Sequence, residues 1–485
     1  MGNNMEKKGA SITGGEIAAA TGGSVFRGNA AKCCRGVSTD SRQFQEENLF
    51  VALRGPHFDG HDFLANVLEH SAGGLLIEEK SVKKLPHETG DIPIILVEDT
   101  LQALGDLAHD WRMRFNATIT TITGSTGKTT TKEMLASILA GKGNVLKTQG
   151  NLNNLIGLPL TLLQLHEGHN MVVLELGTNK PGEIARLTDI AKPDLGLITN
   201  VGPAHLAGFG TLAAVAKEKT ALWRHMDPRG TAIVNEDDQA LRYLAQSWMG
   251  RRVTFGLSAN LMVTARTIGK QAHSGQQFII EISGQAQKVS LALPGEHNVR
   301  NALAAAAAAW ALGTALPDIA EGLSLVEPVA GRTSILALDN GAFLVDDSYN
   351  ANPSSVREAL KTLQSLRGVK ESTAILGEMM ELGDSAESLH EEVGEWIAMT
   401  GISHAYLTGQ HAEDLARGAR KKGLAADRCR IIKNIGEVTT LIKGHLGEGD
   451  WILVKGSRGM NMEAMVRSLV KEFGSKAKKK KIAEQ

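Results

Sequence analysis

The chain has 485 residues, of which 42% are hydrophobic and only 4% aromatic, and its formal net charge at pH 7 is −1. At this length we expect about three domains, with cores built mostly from Ala, Val, Leu and Ile. A net charge so close to zero gives no electrostatic reason to expect nucleic acid or an anionic membrane as a partner.

Cysteine content and apolar segments indicate a location inside the cell. Three cysteines, Cys33, Cys34 and Cys429, do not make a disulfide framework, and adjacent cysteines do not easily bridge each other. Residues 1–8 lack the apolar stretch of a signal peptide. The most apolar run, residues 301–313, is well short of the ~20 residues that a membrane span requires. We therefore predict a soluble, cytoplasmic protein with no membrane span.

Residues 1–115 mix short apolar runs with helical stretches, which predicts a small α/β domain. Its strands are expected at residues 49–53, 74–77 and 94–97, and its helices around residues 63–70 and 100–115. Two polar clusters interrupt this pattern, at residues 38–42 and 54–63. Arg42 and backbone amides near Ser41 could bind a phosphate-bearing substrate. Charged loops with Gly and His are usually solvated turns, so the residues alone leave both interpretations open.

A glycine-rich loop at residues 121–131, Thr-Ile-Thr-Gly-Ser-Thr-Gly-Lys-Thr-Thr-Thr, carries the strongest functional signal in the chain. A β-branched run precedes the loop and a helical pattern follows it, so strand, turn and helix start form a phosphate cradle. We expect Lys128 to reach the β- and γ-phosphates and the Thr129 hydroxyl to bind Mg²⁺. The match is not the standard P-loop, because Ile122 stands where glycine is expected.

Two side chains at later strand ends are candidates for the same site. Glu175 ends a predicted strand, and P-loop proteins take an acidic Mg²⁺ ligand from such a strand. His205 follows the predicted strand at residues 195–200, at the edge where ligands bind in doubly wound sheets. For His205 a structural and a functional role are equally consistent with the sequence. Three asparagines within residues 151–154 could reflect ordinary loop chemistry.

Alternating strands and helices continue to about residue 329, which indicates a mostly parallel, doubly wound sheet over residues 116–329. Within this segment, residues 211–225 are predicted to form one helix. Its charged residues, including Lys217 and Lys219, are typical of a solvated helix face. Residues 261–293 depart from the alternation and are expected to be rich in β-structure.

Residues 330–485 repeat the alternation, which predicts a second α/β sheet of Rossmann type. Its strands are expected at residues 342–345, 373–376, 404–407 and 451–454. Polar segments follow these strands, at residues 346–353, 377–383 and 455–459. Because ligands bind at the carboxyl edge of such sheets, these segments should face a ligand. The short basic tail, residues 476–481, is predicted to be disordered.

Two other classes of protein can be tested on the residues. A GTPase needs an Asn-Lys-x-Asp guanine reader; Asn179 and Lys180 are present, but Gly182 occupies the position of the aspartate. A motor or scaffold would show heptads or helical repeats, which the sequence lacks. An enzyme that consumes ATP is favoured.

In several sequence blocks, the chain resembles the Mur ligases, a family that builds the peptide of bacterial cell-wall precursors. Residues 123–130 are similar to the ATP loop of that family. Further similar blocks lie at residues 40–42, 58–61, 150–154, 175–184, 346–353 and 455–458. Together the blocks extend over nearly the whole chain.

The resemblance implies a three-domain α/β fold with a division of roles. Residues 1–115 would hold a UDP-sugar substrate, residues 116–329 would hold ATP, and residues 330–485 would swing over to complete the site. The implied activity is ATP-dependent addition of D-alanyl-D-alanine to UDP-N-acetylmuramoyl-tripeptide through an acyl phosphate. That step belongs to peptidoglycan synthesis, and so serves cell-wall biogenesis, cell shape and cell division. The implied form is a monomer, and the third residue of the tripeptide, meso-diaminopimelate or L-lysine, stays open.

Roles of individual residues are implied in the same way. Near the uridine diphosphate would lie Asp40, Ser41 and Arg42. Contacts with ATP would come from Gly124, Ser125, Thr126, Gly127, Lys128, Thr129, Thr130, Asn298, Arg332 and Asp347. The catalytic residues would be Lys128, Glu175, His205 and Lys219. Two Mg²⁺ ions would be held by Thr129, Glu175, His205 and Lys219. Lys219 would act as a carbamate, in which added CO₂ turns the cation into a carboxylate; Lys217 is the alternative for that lysine.

Two alternative functions stay open. Another ligase of the same fold, such as an amino-acid-adding Mur ligase or folylpolyglutamate synthase, would keep the ATP site and change the substrates. The Asp-Asn-Pro-Arg reader expected of the diaminopimelate-adding enzyme is absent, which argues against that member. A non-catalytic nucleotide-binding module is the second alternative, and the presence of the four candidate catalytic residues argues against it. Glu378 departs from the family pattern, which commonly has Asp there.

Overall fold

The computed structural model describes residues 9–258, 260–267, 269 and 272–475. Strands of the described residues form a two-stranded pair and sheets of five, nine and six strands. The predicted basic tail and residues 1–8 lie outside the described residues. No helix among the described residues is long and apolar enough to cross a membrane.

The N-terminal part of the chain forms the five-stranded sheet and, from β1 and β3, the two-stranded pair. Its elements are β1 (Ser11–Thr13), α1 (Gly14–Thr21), β2 (Ser24–Arg27), β3 (Cys33–Arg35), β4 (Val37–Ser38), β5 (Leu49–Val51), α2 (Leu64–Glu69), β6 (Gly74–Glu78), β7 (Ile94–Val97) and α3 (Thr100–Met113). The strand order is β2-β7-β6-β5-β4, parallel except at β2. Strands β5 and β6 are buried along their whole length, which explains why their apolar runs are continuous rather than alternating.

The central part forms the nine-stranded sheet. Its elements are β8 (Thr118–Thr123), α4 (Lys128–Ala140), β9 (Val145–Lys147), α5 (Gly157–Leu162), β10 (Met171–Glu175), α6 (Glu183–Ala191), β11 (Leu195–Ile198), α7 (Leu206–Phe209), α8 (Leu212–Lys219), α9 (Ala221–His225), β12 (Thr231–Asn235), α10 (Gln239–Leu244), β13 (Arg251–Phe255), β14 (Val263–Thr267), β15 (Gln276–Ile282), β16 (Gln285–Leu291), α11 (Glu296–Ala311) and α12 (Leu316–Ser324). The strand order is β16-β15-β14-β13-β12-β11-β8-β10-β9.

This central sheet is parallel from β9 to β14 and antiparallel at β15 and β16. The predicted β-rich segment at residues 261–293 is therefore confirmed as three strands at one edge of the sheet. Strand β8, Thr-Ile-Thr-Thr-Ile-Thr, is buried after its first residue, because helices cover both faces of a parallel sheet. The alanine-rich face of α11 is buried from Ala302 to Ala309 and packs on α4.

The helix predicted at residues 211–225 is instead two helices, α8 and α9, separated at Thr220. The Thr220 hydroxyl donates to the Ala216 carbonyl, 2.8 Å away, and so competes with the backbone ladder. The expectation of a solvated face is wrong for two of its charges, since Glu218 and Lys219 are 8% and 2% exposed. The Glu218 carboxylate accepts from the amides of Gly182 and Ile184, at the start of α6.

The C-terminal part forms the six-stranded sheet, with order β17-β18-β22-β19-β20-β21. Its elements are β17 (Ser334–Ala337), β18 (Phe343–Asp347), α13 (Pro353–Arg367), β19 (Ser372–Leu376), α14 (Ala386–Met399), β20 (His404–Leu407), α15 (Ala412–Lys421), β21 (Cys429–Ile431), α16 (Ile435–Lys443), β22 (Trp451–Lys455) and α17 (Glu463–Phe473). All neighbours are parallel except β17 and β18. The three large sheets confirm the predicted α/β class, while the boundaries at residues 115 and 329 stay a prediction.

The three cysteines are expected to differ sharply in reactivity. Burial raises the pKa of the Cys34 thiol to about 12 and raises the pKa of Cys429, whereas Cys33 is exposed. Since the thiolate is the reactive species, iodoacetamide at pH 8 should alkylate only Cys33 in the folded protein. Mass spectrometry of the labelled peptides measures this, with urea-unfolded protein as the control for labelling of all three. Equal labelling of Cys33 and Cys34 in the folded protein would contradict the buried position of Cys34.

Candidate functional site

The carboxyl ends of β8, β10 and β11 face those of β18 and β22 across a cleft of about 790 Å³. Doubly wound sheets bind ligands at this edge. The cleft therefore lies between the central and C-terminal sheets, with residues from both on its walls. The local sequence explains one of these walls: Asn352 caps the start of α13 and Pro353 occupies its first turn, so the helix begins at the cleft.

The glycine-rich loop between β8 and α4 has the backbone of a phosphate cradle. Gly124 and Gly127 have φ angles of 150° and 80°. A Cβ atom on Gly124 would lie 1.8 Å from Thr199 Oγ1, and one on Gly127 would lie 2.3 Å from Asn301 Oδ1. Only glycine fits at either position. The first backbone N–H groups of α4 are thereby free to face an anion at the helix N-terminus.

Lys128 lies at the first position of α4, and its Nζ donates to the Gly124 carbonyl, 2.8 Å away. Burial lowers the pKa of Lys128, Glu175 opposes that shift and Arg332 adds to it. The ammonium is thus held across the loop, at the place where the sequence predicts a phosphate contact. A polyphosphate would offset the loss of hydration that burial imposes on this cation.

Glu175 is held by two side chains and a backbone contact. Its Oε2 accepts from the Thr129 hydroxyl and its Oε1 from the Asn153 amide, each at 2.9 Å. Its backbone N–H donates to Thr148 Oγ1 at 3.0 Å. The carboxylate is 2% exposed, so its orientation is fixed before any ligand arrives. No individual role was predicted for Asn153. The three asparagines within residues 151–154 were the sequence feature that could have pointed to it.

Buried Lys132 anchors the segment that carries Asn153. Its Nζ donates to the Thr148 carbonyl at 2.7 Å and pairs with Glu133 at 2.9 Å. The side chain is 1% exposed, so this contact lies in the interior, where hydrogen bonds are strong and costly to leave unmade. Helix α4 is thus hydrogen-bonded directly to the residue that follows β9, before the asparagines.

Lys219 reaches the cleft from α8, whereas Lys217 is exposed and does not line it. Burial places the pKa of Lys219 well below its ordinary value; the Lys128 cation lowers the pKa further and Glu218 opposes the shift. Among the described residues none makes a hydrogen bond or ion pair to Lys219 Nζ. The arrangement favours a neutral amine in a site that otherwise attracts anions.

His205 lines the cleft with a φ of 56° and pairs through Nδ1 with Glu381 of the C-terminal sheet. This partner lies in the loop after β19, at one of the strand ends that the sequence predicts to face a ligand. The pairing was not predicted, because nothing in the local sequence of either residue refers to the other.

The C-terminal wall brings Arg332 and Asp347 to the loop. Arg332 donates to Thr129 Oγ1 at 3.2 Å, and its guanidinium lies 4.1 Å from the centre of the Tyr349 ring. Asp347 accepts from the Thr333 amide at 3.0 Å and from Lys455 Nζ at 2.5 Å. Tyr349 and Lys455 also line the cleft; neither was assigned a role from the sequence.

The remaining predicted residues divide into two groups. Asn298 lines the cleft, with its amide donating to the Pro294 carbonyl at 2.7 Å, next to Asn301. Asp40, Ser41 and Arg42 do not line the cleft. There the Arg42 guanidinium donates to Asp40, which lowers the pKa of that carboxyl to about 2. This exposed pair stays a predicted substrate contact.

The donor set fits a magnesium nucleotide better than a metal held by protein alone. Among the described residues, no group of three or more His, Cys, Asp or Glu side chains is placed to hold a metal. Mg²⁺ usually takes one or two carboxylates and completes its shell with water and substrate phosphates. The Thr129 hydroxyl and the Glu175 carboxylate, side by side beneath the cradle, fit that requirement.

Comparison with known proteins finds three Mur ligase domain models that match successive parts of the chain. The Mur ligase middle domain matches residues 122–309, the Mur ligase, glutamate ligase domain matches residues 331–458, and the Mur ligase family, catalytic domain matches residues 34–112. The UDP-N-acetylmuramoyl-tripeptide–D-alanyl-D-alanine ligase of Escherichia coli is 38% identical over 89% of this chain and 93% of its own length.

Solved structures agree with these matches. The crystal structure of MurF from Acinetobacter baumannii has a TM-score of 0.87 and 32% identity, covering 96% of this chain and all of that one. MurF ligase from Thermotoga maritima in complex with ADP has a TM-score of 0.81 and 28% identity, covering 90% of this chain and 98% of that one. Both similarities extend through all three sheets rather than through the nucleotide loop alone.

Proposed function

The chain belongs to the Mur ligase family, and from that premise we propose that it adds D-alanyl-D-alanine to UDP-N-acetylmuramoyl-tripeptide at the expense of ATP. The observation that carries this proposal is the 38% identity to a ligase of that activity over 93% of its length. The phosphate cradle, facing a second α/β sheet, is the site that such a reaction needs.

Residues 1–115 hold the UDP-sugar substrate in this proposal, residues 116–329 hold ATP, and residues 330–485 complete the site. Asp40, Ser41 and Arg42 contact the uridine diphosphate, where a guanidinium can bind phosphate oxygens in pairs. For that contact Arg42 must exchange its Asp40 partner for the substrate. The exchange is inexpensive, since both side chains are exposed and surface ion pairs are weak.

The first chemical step converts a carboxylate of the tripeptide into an acyl phosphate. A carboxylate is a poor electrophile, because its oxygens share a full charge and offer no leaving group. Lys128 and the backbone N–H groups of the cradle offset the charge on the transferring phosphoryl group. Thr129 and Glu175 would hold a Mg²⁺ ion, which supplies further charge neutralisation on the phosphates. Arg332 reaches the same phosphates from the opposite wall.

Lys219 is proposed to carry a carbamate. Its neutral amine attacks CO₂: one N–C bond forms, one C=O π bond of CO₂ opens to a carboxylate oxygen, and the nitrogen loses one proton to water. The product is a carboxylate on the central side of the cleft, which Glu175 and Lys219 both line. It would hold a second Mg²⁺ ion together with His205. The support for this step is burial of an unpaired amine whose pKa is lowered by burial and by Lys128.

The second chemical step forms the amide bond. The amine of D-alanyl-D-alanine attacks the acyl phosphate, a tetrahedral intermediate forms, and inorganic phosphate leaves. Water would hydrolyse the acyl phosphate, so the site must be closed during this step. Contacts between the two walls fit that need: Arg332 to Thr129, and the Asn352 amide to the Ser125 carbonyl at 3.3 Å.

The alternative functions make different demands. Another ligase of this fold would accept an amino acid or glutamate in place of the dipeptide. A binding module would need no turnover, and so has no use for a buried unpaired lysine beside a phosphate cradle. The missing Asp-Asn-Pro-Arg reader, together with the comparisons, favours the dipeptide-adding reaction.

Purified protein with ATP and Mg²⁺ tests the proposal directly. Phosphate release should require both UDP-N-acetylmuramoyl-tripeptide and D-alanyl-D-alanine, and should match amide formation one for one. The tripeptides ending in meso-diaminopimelate and in L-lysine are compared in parallel. L-Glutamate, meso-diaminopimelate and L-lysine serve as control acceptors. Phosphate release that is indifferent to the dipeptide would overturn the proposal.

A further inference from the structure

Glu381, in the loop after β19, makes two contacts with the start of α7. The Nδ1 atom of His205 pairs with the carboxylate of Glu381, and the Ala207 N–H donates to the Glu381 carbonyl at 3.0 Å. The histidine and the glutamate are 176 positions apart in the chain. The contact therefore joins the central and C-terminal sheets at the edge of the cleft.

Both residues of the pair have an unusual backbone. His205 has a φ of 56° and Glu381 a φ of 63°, in the left-handed region that residues other than glycine rarely occupy. Such conformations persist where the surrounding structure over-determines them, and they cluster at functional sites. Gly383 in the same loop approaches Ala207, since a Cβ atom on it would lie 3.2 Å from the Ala207 Cα. The backbone conformations of the loop after β19 and of the start of α7 thus allow the two segments to pack closely.

Stability alone does not explain this pairing. The side chains of His205 and Glu381 are 26% and 52% exposed, so water and salt compete with the contact. Pairs of this kind contribute little to folding. A role in orienting the imidazole uses the geometry of the contact and does not depend on its strength.

The pairing determines which imidazole nitrogen is available. With Nδ1 engaged by a carboxylate, the neutral ring carries its proton there and leaves the lone pair on Nε2. Among the described residues none is hydrogen-bonded to Nε2, and His205 lines the cleft. Carboxylates placed in this way fix the tautomer and orientation of metal-binding histidines.

We propose that Glu381 is a positioning residue that readies His205 for metal binding only when the C-terminal sheet is docked. This inference rests on the proposed function, in which His205 helps hold Mg²⁺. The other residues proposed to hold the ions, Thr129, Glu175 and Lys219, all lie in the central part of the chain. Thr129 is also contacted from the C-terminal side, by Arg332, but that contact donates to its hydroxyl, whereas the contact with Glu381 orients the ring of His205. Docking of the C-terminal sheet thereby completes the metal site, which couples phosphoryl transfer to closure.

The test compares Glu381→Ala and Glu381→Gln with a matched control, Glu387→Ala. Glu387 is also a glutamate of the C-terminal part, 70% exposed, and pairs with Arg417 at 2.8 Å within that part. ADP binding is titrated at several Mg²⁺ concentrations, and the His205 ring nitrogens are observed by NMR in protein labelled with ¹⁵N-histidine. His205→Gln assigns the signal.

Glu381→Ala should raise the Mg²⁺ concentration for half-maximal ADP binding by about tenfold. It should also move the His205 nitrogens toward a mixture of tautomers. Glu381→Gln should restore most of both properties, since its amide oxygen can still accept from Nδ1–H. If Glu381→Ala matches Glu387→Ala in both measurements, the inference is overturned. Neither measurement needs turnover, so a wild-type protein that fails to ligate overturns the proposed function without deciding the role of Glu381.

Discussion

Replacing Lys128 with Ala is expected to lower the ligation rate by roughly 10³-fold, because one preorganised cation at a transferring phosphoryl group contributes on that scale. The ammonium lies against the loop, 2.8 Å from the Gly124 carbonyl, and is half-buried near Glu175. Its removal leaves the backbone N–H groups of the cradle, and Arg332 on the opposite wall, to offset the charge on the phosphates. The rate of amide formation, followed by chromatography of the UDP-product, measures the effect.

Lys142→Ala is the matched control for this variant. Lys142 follows the same helix but is exposed, and its Nζ contacts the Gly313 carbonyl at 2.9 Å, away from the cleft. The control should keep the wild-type rate, and thermal unfolding should show that both variants fold. A Lys128→Ala enzyme that retains more than a tenth of the wild-type rate would remove Lys128 from the phosphate clamp.

Replacing Lys219 with Ala is expected to lower the ligation rate by roughly 10²- to 10³-fold. The reason is the loss of a proposed ligand of the Mg²⁺ that neutralises charge on the phosphates. The variant removes the amine that the proposed carbamate needs, and with it the carboxylate that the carbamate would supply. A small carboxylate such as formate could occupy the vacated space and restore part of the rate. Ligation is measured with and without added formate.

The neighbouring lysine provides a sharp control. Lys217 lies on the same helix, is exposed, and does not line the cleft, so Lys217→Ala should keep full activity. The sequence alone left these two lysines as alternatives for the carbamate. If Lys217→Ala is the inactive variant and Lys219→Ala is active, the assignment fails.

The phosphate cradle could be predicted because its parts are close in sequence. Strand β8, the loop and α4 follow one another, and the constraint that Gly124 imposes is visible as a residue type. Strand ends could be predicted for the same reason, so Glu175 and His205 were singled out, whereas the role of Asp347 was implied by the resemblance to the family. Local sequence patterns predict which residues lie at the edge of a sheet. They do not predict which residues contact them from across the cleft.

The contacts that could not be predicted are those between distant segments. Glu381 meets His205 from the other sheet, and Asn153 reaches Glu175 from a loop that composition explains as a turn. Glu218 was expected on a solvated face because an isolated helix offers no hint that its carboxylate caps α6. Tertiary packing decides such cases, since the same charged residue suits either environment.

Isotope transfer tests the central claim, amide formation through an acyl phosphate, most directly. UDP-N-acetylmuramoyl-tripeptide is prepared with ¹⁸O in the carboxylate that is to be joined, and the released phosphate is examined by mass spectrometry. An acyl phosphate leaves one carboxylate oxygen on phosphorus, so each amide formed should be matched by one phosphate carrying ¹⁸O. Phosphate free of ¹⁸O, released alongside the ligated product, would contradict the account.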